Sequence, residues 1–105
     1  MEYRFDFESM HVYRLAVEVA LWARRTRWPG SAGKLKSEAI RACDSVVLNI
    51  AEGRMRLDAA GNNHFRIARG SAGEAMAVLD LVVLPDGPAQ QQKLRRIGAM
   101  LNRLG

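Results

Sequence analysis

Two polar segments interrupt otherwise apolar helical stretches: Asn49-Ile50-Ala51-Glu52-Gly53 and, further along, Ile67-Ala68-Arg69-Gly70-Ser71 with Glu74. Arg41 and Ser45 precede Asn49 and Glu52 at spacings that put all four on one stripe of a helix. The set Arg41, Ser45, Asn49, Glu52, Arg69, Ser71 and Glu74 therefore brings hydroxyls, an amide, guanidiniums and two carboxylates to one seam. Facing carboxylates at Glu52 and Glu74 could share acid and base roles, because mutual repulsion separates their pKa values. The same residues also fit a structural network. In that reading Glu52 accepts from Ser71 or from amides of the next helix, and Arg41 or Arg69 neutralises a carboxylate. An unsatisfied buried polar group costs about 1–3 kcal/mol, and polar networks commonly set helix register, so the structural reading is preferred.

Other chemistry is poorly supported. The spacing Glu8-x-x-His11 is that of carboxylate-bridged di-iron bundles, but those need a second Glu-x-x-His and further glutamates. His64 has Gly61 at the matching position. Gly70-Ser71-Ala72-Gly73 lacks the following Lys-Ser/Thr and the preceding strand of a phosphate loop. Cys43 sits between Ile40 and Val47 on an apolar face, where a thiol packs as a small hydrophobe. No metal or other cofactor is expected, and no catalytic residue is assigned.

The remaining candidates are basic. Sixteen Lys and Arg oppose eleven Asp and Glu, giving net +5, and thirteen of the sixteen are arginines. Guanidinium binds phosphate and carboxylate in a bidentate fork. Arg24, Arg25 and Arg27 cluster after the first apolar pattern, Arg54 and Arg56 follow Gly53, and Arg66, Arg95 and Arg96 lie further on. These eight are the candidate nucleic-acid contacts. The competing reading is solvated helix faces, favourable charges at helix C-termini and inter-subunit ion pairs.

Four helices must position these groups, over about 9–28, 34–53, 58–84 and 88–104, in one domain spanning 1–105. A chain of 105 residues that is 49% hydrophobic can bury roughly 65% of its unfolded surface. Residues 1–8 alternate aromatic and charged, as in an extended arm with its rings on one side. Ser9 is the expected first cap, and Pro29-Gly30 the first stop. Tyr13, Ala16, Val17 and Ala20 form one apolar stripe of the first helix; Val12, Leu15, Val19 and Trp22 form a second, which points to an oligomer. Ile40, Cys43, Val47 and Ile50 line the second helix, and Gly53 is expected to close it in a left-handed conformation. A basic connector, Arg54-Met55-Arg56-Leu57, follows. Asp58 caps the third helix, whose Gly61, Gly70 and Gly73 imply close backbone approach, as each costs up to about 1 kcal/mol. Pro85-Asp86-Gly87-Pro88 is a turn, and Leu94, Ile97, Leu101 and Leu104 line the last helix. The fold class is all-α, an antiparallel up-down-up-down four-helix bundle.

One cysteine precludes an internal disulfide framework, so a reducing compartment is expected. No basic stretch with a following apolar run marks a signal peptide, and no apolar stretch approaches the roughly 20 residues that span a bilayer. The expected location is cytoplasmic, with no membrane partner.

The chain resembles the small four-helix-bundle family known as the 23S rRNA intervening-sequence proteins. The resemblance runs through Val12-Tyr13-Arg14-Leu15-Ala16, Arg41-Ala42 with Ser45, Asn49 to Gly53, and Phe65 with Ile67 to Ser71 and Glu74, nearly the whole chain. It implies a left-handed bundle that assembles into a ring, with five subunits the known arrangement. Some genes of that family lie within insertions in 23S rRNA genes. A related group accompanies reverse transcriptases of diversity-generating retroelements, where the bundle binds the polymerase and structured RNA. The family offers no established catalytic residues. Glu38 stands where it usually has glutamine, Asp58-Ala59-Ala60-Gly61 keeps only the cap of its usual Ser-x-x-Glu box, and the Ser31-Ala32-Gly33 turn is shorter and less acidic.

The expected function is therefore non-enzymatic: a homo-oligomer, by resemblance a pentamer, that contacts RNA or DNA backbones as accessory to a nucleic-acid enzyme. Five copies would carry about +25, enough for salt-dependent phosphate binding if one face collects it. The alternatives are a protein scaffold without nucleic acid and an enzyme using Glu52 and Glu74.

Overall fold

The computed structural model describes residues 1–56 and 58–105. Leu57, the last residue of the expected basic connector, lies outside the described residues. Four helices, α1 (His11–Arg25), α2 (Gly33–Arg56), α3 (Ala59–Asp80) and α4 (Gly87–Leu104), make up the chain with two short 3-10 turns at Asp6–Ser9 and Gly30–Ala32. No strand occurs among the described residues. α1 packs on α2 and α4, α2 on α3, and α3 on α4, closing the four helices around one core.

Local chemistry moves several ends from their expected places. α1 starts two residues after Ser9, because Asp6–Ser9 is already wound: the Glu8 carboxylate accepts from Phe5 N–H at 2.8 Å, and Ser9 Oγ donates to Asp6 O at 3.2 Å. The aromatic arm is thus extended only before residue 6. Its rings still run together, Tyr3 edge-on to Phe5 at 5.1 Å, Phe5 stacked on Phe7 at 5.7 Å and Phe7 against Tyr13 at 4.8 Å.

At the other end α1 stops at Arg25 rather than Trp28. The residue before a proline is driven out of the helical region, and Trp28 precedes Pro29. The buried indole folds back and donates from Nε1 to Ala23 O at 2.9 Å, satisfying a carbonyl that the helix end would leave open.

Gly53 does not close α2. No glycine among the described residues has positive φ, and the helix runs on through Arg54, Met55 and Arg56. Gly53 is needed instead where α2 crosses α3. A Cβ there would lie 2.8 Å from Phe65 Cε1 and 2.9 Å from Gly61 O, while one on Gly61 would lie 2.6 Å from Gly53 O. These paired glycines let two backbones touch, which Asp58 supports by accepting from Gly61 N–H at 3.0 Å as the cap of α3. α3 ends at Asp80, short of Leu84. The chain turns over Leu84, which is buried, and Asp86 takes a left-handed φ of 61° to enter α4, a conformation Asp tolerates better than most residues.

The two stripes of α1 are buried only in part, with Tyr13, Val17 and Trp22 left half-buried. Val12, Leu15, Ala16, Val19, Ala20 and Ala23 are all buried within the single chain, because α1 is flanked by α2 on one side and α4 on the other. The exposed apolar surface lies elsewhere: Leu48 is 67% exposed, Ile67 43% and Leu21 38%. Gln90 is the one buried polar residue of the core, and its Oε1 has no hydrogen-bond partner among the described residues.

Candidate functional site

α2 and α3 run antiparallel, with Gly53 against Gly61 at one end of their seam and Ser45 against Ser71 further along. Four of the seam's polar groups form one chain. Ser45 Oγ and Ser71 Oγ are 2.7 Å apart. Asn49 Nδ2 donates to Ser45 O at 2.9 Å and to Ser45 Oγ at 3.1 Å. His64 Nδ1 meets Asn49 Oδ1 at 2.8 Å. With Asn49 Nδ2 committed to Ser45, its Oδ1 accepts, so His64 Nδ1 carries a proton and donates it. Ser45 Oγ accepts from Asn49, and either serine hydroxyl can donate to the other.

This chain is neutral and holds two helices in register, each bond contributing about 0.5–1.5 kcal/mol. It lacks the parts of a nucleophilic site. A serine nucleophile needs a base at its hydroxyl, and the imidazole touches an amide oxygen instead. His64 belongs to the seam even though its only sequence signal was as a possible ligand. The signal that could have found it is register: once Gly53 is set against Gly61, Asn49 falls near His64.

The charged members of the predicted network lie outside that chain. Glu52 accepts from Arg56 at 2.8 Å, one turn on in its own helix. Arg41 is exposed beside Glu38 at 3.5 Å. Arg69 crosses to α4 and donates to Asn102 Oδ1. Glu74 is exposed and has no ion pair among the described residues. Seven residues separate Glu52 from Ser45 and three more separate Ser71 from Glu74 in the same direction along the seam. At a rise of 1.5 Å per residue the two carboxylates are about 15 Å apart along it, so they cannot work on one bond.

The eight candidate arginines divide into two groups. Arg24 is clamped by Asp44, with Nη1 and Nη2 each 2.6 Å from a carboxylate oxygen; that hydrogen-bonded pairing raises the guanidinium pKa above its ordinary value. Arg54 approaches Asp6 at 3.9 Å, and Arg56 holds Glu52. Arg25, Arg27, Arg66, Arg95 and Arg96 have no carboxylate within 4.0 Å among the described residues. Arg66 donates to Gly105 O at 3.4 Å, and Arg96 Nη2 lies 3.0 Å from His11 Nε2. Arg69, in the groove between α3 and α4, and Arg103, beside the start of α1, are also without ion pairs by that measure among the described residues. α4 carries Lys93, Arg95, Arg96 and Arg103 and no acidic residue; Lys93 pairs with Glu18 at 3.1 Å, which leaves its three arginines, like Arg66 and Arg69 of α3, without an ion pair among the described residues.

Among the described residues no three His, Cys, Asp or Glu side chains group as a metal site, and no helix is long and apolar enough to cross a membrane. The model of one protein family, the 23S rRNA-intervening sequence proteins, matches residues 8–103. No curated protein and no solved structure matches the chain.

Proposed function

The chain belongs to the 23S rRNA-intervening sequence protein family, and we propose that it serves as a non-enzymatic, self-assembling accessory protein that holds RNA or DNA backbones through its arginines. The observation that carries this reading is the sorting of charge. Arg24, Arg54 and Arg56 are spent on carboxylates, whereas Arg66, Arg69, Arg95, Arg96 and Arg103 stand without them on two adjacent helices. Uncompensated arginines attract polyanions by counterion release, which is independent of sequence and steeply salt-dependent. Assembly, by resemblance into a five-membered ring, would multiply it. A nucleic-acid enzyme is the partner such an accessory would serve, in the cytoplasm.

The second reading, a protein scaffold, draws on the exposed Leu21 and Leu48, which line one groove with Tyr13, Val17 and Val47. An apolar patch of this kind marks an interaction surface and serves assembly in either reading. The Glu52–Glu74 enzyme is set aside on geometry.

Light-scattering mass combined with the 260/280 nm absorbance ratio, on protein purified without a high-salt wash, tests the proposal. A mass near five chains with nuclease-sensitive absorbance is the expected result. A clean oligomer that binds no added RNA or DNA at low salt would leave the scaffold reading, and a stable monomer would remove assembly from both.

A further inference from the structure

A groove of about 430 Å³ runs between α3 and α4. Gly73 and Gly98 line it above the buried Ala72 and Leu94, Arg69 comes to it from α3 and Arg95 from α4, and Asn102 lines it beside Arg69. Glycine inside a helix costs up to about 1 kcal/mol relative to alanine, and here the chain itself gives no reason for it. A Cβ built on Gly73 or Gly98 meets nothing within 4 Å, unlike the forced pair Gly53 and Gly61. The arginines on the walls are equally unexplained from within: neither has a carboxylate within 4.0 Å among the described residues, and the partner of Arg69 is the neutral Asn102.

Their spacing follows from register. Arg69 sits beside Asn102 and Met76 beside Gln91, so α3 and α4 are antiparallel. Arg95 is seven residues from Asn102, about 10 Å further along the groove, and Arg66 extends the row by about 5 Å the other way. A row of guanidiniums about 15 Å long, beside a groove that two glycines keep open above the buried Ala72 and Leu94, accepts a slender, repeatedly charged chain.

We propose that this groove holds the sugar-phosphate backbone of a single nucleic-acid strand, a site that rests on the nucleic-acid reading above and narrows it. Arg66, Arg69 and Arg95 bind phosphates, and the two glycines admit the chain between the helices. A double helix would ride on the helix crests and reach only the arginine tips, leaving the floor empty. The site therefore distinguishes strand from duplex by shape, where a diffuse basic face would favour the more highly charged duplex.

Fluorescence anisotropy of a labelled oligo-uridine strand, against a duplex of the same length, tests this with the full chain. Gly98→Leu fills the groove without changing charge, and as a gain in helix propensity it leaves thermal stability intact; Gly73→Leu is the second such variant. Either lowers single-strand affinity by about tenfold or more and leaves duplex affinity unchanged. Three phosphate contacts give a log–log salt slope of about −2 for a single strand, and Arg95→Gln makes it shallower by about 0.7. The double variant Arg25→Gln with Arg27→Gln, which removes charge elsewhere, has the smaller effect. Binding that ignores both leucine variants, or that falls equally with Arg25 and Arg27, overturns the groove and leaves nucleic-acid binding standing. Failure of the unaltered protein to bind any strand or duplex at low salt overturns both.

Discussion

Cys43 lies on the inner face of α2, and its thiol is pushed up to about 12, first by burial and then by the neighbouring Asp44 carboxylate, with Arg24 pulling the other way. The folded protein therefore keeps the thiol protonated well above the ordinary value of 9.0. The sign follows from linkage: this stability is fully present below about pH 9 and is lost as pH rises toward 12, since only the unfolded chain then releases the proton. Cys43→Ala has no such term. The gap in melting temperature between the wild type and Cys43→Ala is expected to narrow between about pH 8 and pH 11; a gap that stays constant would mean the thiol is less buried than it appears. At this scale the sequence was informative about residue type. Cys43 as an inert core thiol, and Asn49, Ser45 and Ser71 as seam residues, could be read from apolar neighbours and helical spacing. The assignment of Glu52, Arg41 and Arg69 to the same network could not, because long charged side chains choose partners from whatever lies nearby, and Arg56, Glu38 and Asn102 were nearer.

At the scale of the helix, the glycines of α3 separate into two physical classes. Gly61 is under the backbone of α2, where an added methyl would meet Gly53 O at 2.6 Å, whereas Gly70 is exposed and faces open space. Gly61→Ala is expected to destabilise by about 2 kcal/mol or more through overpacking against rigid backbone. Gly70→Ala should stabilise by up to about 1 kcal/mol through helix propensity alone. Denaturant unfolding of the two variants gives both numbers, and equal effects would contradict the close crossing. The sequence located every helix but misplaced several ends for a shared reason. Gly53 and Leu84 look like terminators or helix interior from their own preferences, yet a tertiary contact decided each: the Gly53–Gly61 crossing kept α2 winding, and the burial of Leu84 drew the chain out of α3.

At the scale of the molecule, the case for a subunit interface rests on a surface shared by α1 and α2. Much of each apolar stripe of α1 is buried inside the chain, but Tyr13 and Val17 stay half-buried and line a groove with the exposed Leu21 and Leu48. Leu48 stands 67% exposed in mid-helix, so Leu48→Glu should fold as the wild type does by circular dichroism. If that patch holds subunits together, light scattering will show the mass falling toward one chain, since a charge buried in an interface costs several kcal/mol. An unchanged mass would place the contact on another face.

What the sequence determined by itself was helical content, four-element order, the family and the excess of arginine. These follow from apolar periodicity, turn residues and composition, all of which are local or additive. Which carboxylates meet, which arginines remain uncompensated and which apolar stripe stays in water were decided only in three dimensions. Each depends on the register and rotation of one helix against another, and small residues such as Gly53, Gly61, Ala68 and Ala72 set that geometry by how closely they let backbones approach rather than by any chemistry of their own.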